Sequence, residues 1–146
     1  MIEVISFDID DRPDLADLAN GIRQKVFVEE QMVDPILEYD DFESIARHYL
    51  LIRDGEAVAT ARWRETENGI KLERFATLAS HRNQGLGAII LKRVLEDAVQ
   101  KGKKVYLHSQ LKAIPFYQRH GFKKVGHQFS EADIEHFKME LDSNSL

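Results

Sequence analysis

A chain of 146 residues with 43% hydrophobic content is sized for one domain with its own core. Its net charge of -5 argues against a nucleic-acid partner, which needs a concentrated basic face, and no apolar run approaches the roughly 20 residues of a membrane span. With no cysteine there is no disulfide framework, thiolate metal site or cysteine nucleophile, and the start Met1-Ile2-Glu3-Val4 lacks the features of a secretory signal, so a cytoplasmic location is expected.

Taken in chain order, Ile2 to Ile9 alternates apolar and polar residues and predicts a first strand. Asp11-Arg12-Pro13-Asp14 reads as a helix start, and Leu15, Leu18, Ile22 and Val26 recur at helical spacing, so a helix is predicted across about 14 to 28. An acidic stretch follows, with Glu29, Glu30, Asp34, Glu38, Asp40, Asp41 and Glu43, and with room for a second helix. His48 to Ile52, Ala57 to Trp63 and Ile70 to Thr77 are β-prone runs. Asp54-Gly55 and Asn68-Gly69 join them as hairpin signals, predicting an antiparallel meander. From Gly85 the period changes: Leu86, Ile90, Val94 and Ala98 mark a long helix ending near Gly102. Val105 to Leu107 is a short strand, Pro115 to His120 a short helix stopped at Gly121, Phe122 to Val125 another strand, and a last strand fits within Ile134 to Leu141. The order is that of an α/β mixed sheet in a single domain over residues 1 to 146.

The chemistry concentrates in Arg82-Asn83-Gln84-Gly85-Leu86-Gly87-Ala88, a glycine-bearing turn entering the long helix. Such a turn offers unpaired N–H groups and a positive dipole end to an anion, with Arg82 able to add a charged contact. A nucleotide P-loop would end Gly-Lys-Ser/Thr, but Gly87 is followed by Ala88 and Ile89. A dinucleotide fingerprint would need a third glycine where Ile90 stands. A structural turn with no ligand is the competing reading of these glycines.

The Arg-x-x-Gly-x-Gly loop, the preceding Glu73-Arg74-Phe75-Ala76-Thr77 and the later Ala113-Ile114-Pro115-Phe116-Tyr117-Gln118-Arg119-His120-Gly121-Phe122 together resemble the GCN5-related N-acetyltransferase (GNAT) superfamily over about residues 46 to 128. The segment from Ile22 to Gln31, continuing to Glu38, Asp40, Asp41 and His48, is similar to its small bacterial ElaA-like branch. The resemblance implies a mixed, mostly antiparallel sheet, splayed at a cofactor slot and flanked by helices. It also implies transfer of an acetyl group from acetyl-CoA to an amine. On that basis Arg82 through Ala88 hold the pyrophosphate of coenzyme A, and Phe75, Ala76 and Thr77 pair with the pantetheine, a backbone N–H there polarising the thioester carbonyl. Phe116 lines the slot. Gln110 stands where the family often has asparagine, in reach of a pantetheine amide. Tyr117 occupies the place of the general acid that protonates the leaving thiolate; a core tyrosine is the alternative.

The acceptor is expected to be a small-molecule or peptide amine, and the acidic stretch suits a positively charged one. An ammonium must lose a proton before it attacks. Glu73 is the expected base and an ion pair with Arg62 or Arg64 its alternative role, with Glu29, Glu30 and His48 as competitors. His108 is read as a structural strand histidine. His81, His120, His127 and His136 lack metal-ligand spacing, so no metal is expected. Without cysteine, direct attack in a ternary complex is the simplest route. The same fold could also serve as a non-catalytic acyl-CoA sensor or interaction module, as a monomer or a homodimer.

Overall fold

The two glycine dipeptides close the hairpins they predict. At the first, Asp54 (φ 50°) and Gly55 (φ 83°) are both left-handed, as a type I′ turn requires. At the second, a Cβ on Gly69 (φ 131°) would fall inside contact distance of the Lys104 carbonyl oxygen. That oxygen instead accepts the Ile70 N–H at 2.7 Å, which seats the following strand beside this one. The computed structural model describes residues 1–142; residues 143–146, the tail of the expected domain, lie outside the described residues.

The strands are β1 (Ile2–Phe7), β2 (Arg47–Arg53), β3 (Glu56–Thr66), β4 (Gly69–Thr77), β5 (Val105–Gln110), β6 (Phe122–Glu131) and β7 (Ile134–Leu141). They form one sheet in the order β1-β2-β3-β4-β5-β7-β6. Neighbours are antiparallel except β4 and β5, whose parallel pairing covers only Ile70–Leu72 against Val105–Leu107. Past Leu72 the two strands part. The cause lies on β4: Thr60 opposes Ala76 and Arg62 opposes Glu73, so Ala61 faces both Arg74 and Phe75. This is a β-bulge, with Arg74 at φ 62°, and bulges bend the strand that carries them.

Helices cover both faces. α3 (Leu86–Ala98) packs Leu86, Ile90, Leu91 and Val94 on Tyr49, Leu51 and Leu72. α1 (Pro13–Arg23) packs Leu15, Ala19 and Ile22 on Phe7 and Leu50. Leu50 and its neighbours Tyr49 and Leu51 divide between the two cores because strand side chains alternate. Two short helices, α2 (Pro35–Glu38) and α4 (Ile114–Arg119), complete the set. No helix among the described residues is long and apolar enough to cross a membrane.

The helix predicted to run unbroken to about 28 instead changes character after Arg23. Gln24–Glu30 is a π-helix, closed by the Gln31 N–H bonding back to the Val26 carbonyl. Within this wider turn the consecutive Val26 and Phe27 both point inward.

The acidic stretch divides: Glu29, Glu30, Asp34 and Asp41 stay exposed, while Glu38, Asp40 and Glu43 turn inward. Arg23 and Arg62, 2% and 0% exposed, draw those three carboxylates in. Arg23 bonds Glu38 at 2.7 Å and Glu43 at 2.8 Å, and Arg62 bonds Asp40 and Glu43, each at 2.7 Å. Arg74 adds Glu38 and Asp40 at 3.3 and 3.1 Å. A guanidinium removed from water must be fully paired, so these acids are committed to the fold before any acceptor arrives. Arg62→Met leaves Asp40, Glu43 and Glu73 without their shared cation. It is expected to lower the unfolding free energy by about 3–5 kcal/mol, read as a lower urea midpoint at unchanged slope. A loss below about 1 kcal/mol would mean that the network behaves as a solvated surface pair.

Candidate active site

The loop between β4 and α3 is shaped by two left-handed residues, Asn83 (φ 61°) and Gly85 (φ 80°). Gly85 caps α3 and supplies no side-chain acceptor, so the first N–H groups of the helix stay open to an incoming anion. A Cβ on Gly87 would sit 3.5 Å from Phe116, an ordinary packing distance. Glycine there is therefore not forced by the chain's own packing; it keeps the gap between loop and Phe116 clear. That gap belongs to a cavity of about 710 Å³, a usual size for a ligand site.

Phe75, Ala76, Thr77, Arg82, Asn83, Gly85, Leu86, Gly87, Ala88 and Phe116 line this cavity together. Gln84 and Gln110 do not. The Gln84 amide is committed elsewhere, donating to the Ser80 carbonyl at 3.3 Å and accepting from Arg53. Gln110 faces a second cavity and donates to Gln31 Oε1 at 2.8 Å. Arg82 is present but engaged. Its two terminal nitrogens fork onto Glu30 at 2.8 and 2.7 Å, and its Nε donates to the Thr77 carbonyl at 2.9 Å. Hydrogen bonding from Arg82 holds the Glu30 carboxyl below its ordinary range. Val26, Gln31, Lys112 and Arg119 also line the slot. Val26 and Gln31 come from the π-helix and its end, Lys112 from the turn before α4, and Arg119 from α4.

The second cavity, about 440 Å³, shares Gln31, Phe75, Lys112 and Ala113 with the first. Tyr117 projects from α4 into its wall, edge-on to Phe75, Phe116 and Phe122 at 6.2, 5.1 and 5.8 Å between ring centres. Its hydroxyl has no hydrogen-bond partner among the described residues, and burial raises its pKa above the ordinary phenol value, so it holds its proton. The ring is buried, but the unpartnered hydroxyl is not closed off from the second cavity, so it is free to serve a ligand atom there.

Of the expected bases, Glu73 alone lines this cavity, and it carries the ion-pair role rather than an open carboxylate. Its Oε1 accepts from Arg62 Nε at 3.0 Å and Arg64 Nε at 2.7 Å, and Lys71 stands 3.5 Å from Oε2. Burial raises its pKa, but the charges of Arg62, Lys71, Arg74 and Arg64 outweigh burial and hold it low. That is the wrong direction for a base working near neutrality. His48 lines neither cavity. It stacks on Phe7, donates from Nε2 to the Glu43 carbonyl at 2.8 Å, and is kept neutral by burial. Glu29 also lies outside both, and Glu30 is spent on Arg82.

Sequence reasoning passed over His108, Glu131 and His136, which line the second cavity together. The alternation Tyr106, His108, Gln110 already put His108 on the same strand face as Gln110. What no local pattern could supply was Glu131, whose Oε1 lies 3.1 Å from His108 Nδ1 across 23 positions of sequence.

Comparison with known proteins shows the family and the fold. Residues 13–143 match the family model described as the acetyltransferase (GNAT) domain. The uncharacterized N-acetyltransferase YjcF of Bacillus subtilis is 38% identical over 124 residues, covering 83% of this chain and 88% of that protein. Among solved structures, an acyl-CoA N-acyltransferase from Pseudomonas aeruginosa superposes with a TM-score of 0.85 at 28% identity, covering 97% of this chain and 100% of that one. ElaA of Escherichia coli gives 0.87 at 25% identity, with the same coverage. The Arg82–Glu30 fork makes a measurable difference here. Glu30→Gln removes an internal competitor for the guanidinium and is expected to tighten coenzyme A binding by up to about fivefold at low salt, by calorimetry. Equal or weaker binding would show that Glu30 does not compete with phosphate for Arg82.

Proposed function

The chain belongs to the GNAT acetyltransferase family and is an acyltransferase; on that premise we propose that it moves an acetyl group from acetyl-CoA to a primary amine by direct attack. The observation that carries this reading is the meeting of two cavities at Phe75, one beside an anion-seeking loop and the other beside the Tyr117 hydroxyl.

The fit to coenzyme A rests on the chain's own groups. The open N–H groups at the start of α3 and the Arg82 guanidinium suit a pyrophosphate. Where β4 leaves β5, its backbone edge from Phe75 to Thr77 is free to pair with the pantetheine amides. The bound group supplies an activated acyl thioester. A backbone N–H at the Arg74–Phe75 bulge serves the carbonyl oxygen, stabilising charge as it develops there. Tyr117 holds its proton and gives it to the departing sulfur. Gln110 and Gln31, bonded to each other between the cavities, are placed to hand an amide hydrogen bond to the donor or the acceptor. The amine enters from the second cavity, whose Glu38, Asp40 and Glu73 are already neutralised by arginines. Electrostatic capture of a cation by those acids is therefore no part of the reading.

A thiol-release assay across a panel of polyamines and amino acids tests the activity. Release that depends on an amine supports it, whereas tight acetyl-CoA binding with no transfer supports an acyl-CoA sensor. Tyr117→Phe is expected to lower kcat about 100-fold with KM for acetyl-CoA little changed. Unchanged turnover would remove Tyr117 from the reaction.

A further inference from the structure

An acceptor amine that enters as an ammonium needs a proton acceptor in the second cavity, and Glu73, locked between Arg62 and Arg64, does not provide one. We propose that His108, oriented by Glu131, is the catalytic base that deprotonates the amine. This rests on the acetyltransferase reading above.

The geometry is that of a paired imidazole. A carboxylate only accepts, so the 3.1 Å contact to Glu131 puts the His108 proton on Nδ1 and leaves the Nε2 lone pair free. His108 and Glu131 line the same cavity as Tyr117. The His108 ring is held edge-on to Phe129 at 5.0 Å. Hydrogen bonding from His108 pulls the Glu131 carboxyl down to about 2, so the partner stays ionised across the working range. His136 is the neighbouring imidazole but is less suited. Its Nδ1 donates to the Ile134 carbonyl at 2.6 Å, its ring stacks on Phe129, and its side chain is 8% exposed against 24% for His108.

The other charges facing His108 are largely spoken for. From β4, Lys71 stands by Glu73 at 3.5 Å; from β7, Lys138, directly opposite His108, stands by Glu140 at 3.6 Å. Tyr106 flanks the ring on its own strand and bonds the Thr66 hydroxyl. Lys112 lines the cavity from the start of the α4 segment. Glu131 is thus the carboxylate in direct contact with the imidazole.

In the step itself, His108 Nε2 takes one proton from the ammonium. The freed nitrogen lone pair forms the C–N bond as the C–S bond breaks, and Tyr117 gives its proton to the sulfur. The second proton on nitrogen restores the Tyr117 hydroxyl through water, and the imidazolium discharges to solvent. The sum is ammonium plus thioester giving amide, thiol and one proton.

The test joins kinetics to a direct titration. In the wild type, the acid limb of kcat at saturating substrates should coincide with the His108 titration followed by NMR in the coenzyme A complex. The NMR signal is assigned by its loss in His108→Gln. That variant should lose about 100-fold in kcat and lose the limb, with KM for acetyl-CoA little changed. Glu131→Gln, at a half-exposed position, removes the carboxylate that holds the proton on Nδ1. It should lower kcat with KM for acetyl-CoA little changed and alter the Nδ1–H tautomer signature of the His108 ring by NMR. An acid limb that persists in His108→Gln, or a ring tautomer signature that ignores Glu131→Gln, overturns the assignment while leaving acetyl transfer standing. A wild-type chain that binds coenzyme A but acetylates no amine overturns the activity, and the role of His108 with it.

Discussion

Two guanidinium groups with almost no access to water set the terms for the rest of this structure. Arg23 on α1 and Arg62 on β3 cannot be buried unpaired, so each gathers carboxylates from the segment between α1 and β2. That segment would otherwise be an acidic loop in solvent. Pulled inward, it becomes a wall: Leu37, Glu38 and Asp40 line the second cavity because Arg23, Arg62 and Arg74 hold them there. The same network reaches Glu73 through Arg62 and Arg64 and fixes its charge. One set of ion pairs therefore shapes the second cavity and holds the Glu73 carboxylate that lines it.

The second organising feature is the single parallel pair in an otherwise antiparallel sheet. β4 and β5 are joined through α3, which must start at the carboxyl end of β4, where the strands part. The uncapped N-terminus of α3 is thereby delivered to the mouth of the opening, the usual place for ligands in sheets with such crossovers. The Arg74–Phe75 bulge makes the opening permanent and turns Phe75 into the partition between the two cavities. The two cavities then meet at one point, and the side chains near it divide by state. Tyr117 keeps its proton through burial, and Glu73 stays ionised through its arginines. The His108–Glu131 pair stands apart from both, on strands β5 and β6.

Much of the framework was legible because it is written locally. Asp54-Gly55 demands a tight turn whatever surrounds it, the 3.6-residue spacing of Leu86, Ile90 and Val94 defines α3, and the glycines of the Arg82 to Ala88 loop announce a helix entered by a left-handed turn. These signals reside in neighbouring residues and survive without knowledge of the fold. The ordered set of motifs, at its spacing, was enough to indicate the family. The π-helix was not legible, since Val26 and Phe27 look like any apolar pair until two cavities compete for them. The fate of the acidic stretch was not legible either, because a carboxylate reads the same whether water or a buried guanidinium faces it.

The sequence by itself thus determined the element order, the hairpins and the glycine loop that enters α3, all set by short-range backbone preference and hydrophobic period. Tertiary structure alone decided which charges are spent and which remain available. Glu38 and Asp40 meet Arg23, Arg62 and Arg74 from other parts of the chain, whereas the Glu73 pair with Arg62 and Arg64 spans one hairpin and was one of the two roles its sequence allowed. Gln84 turns to Ser80 and Arg53, Arg82 is held by Glu30, and His108 meets Glu131. Charge is felt through space and dielectric, and chain position carries almost no information about either.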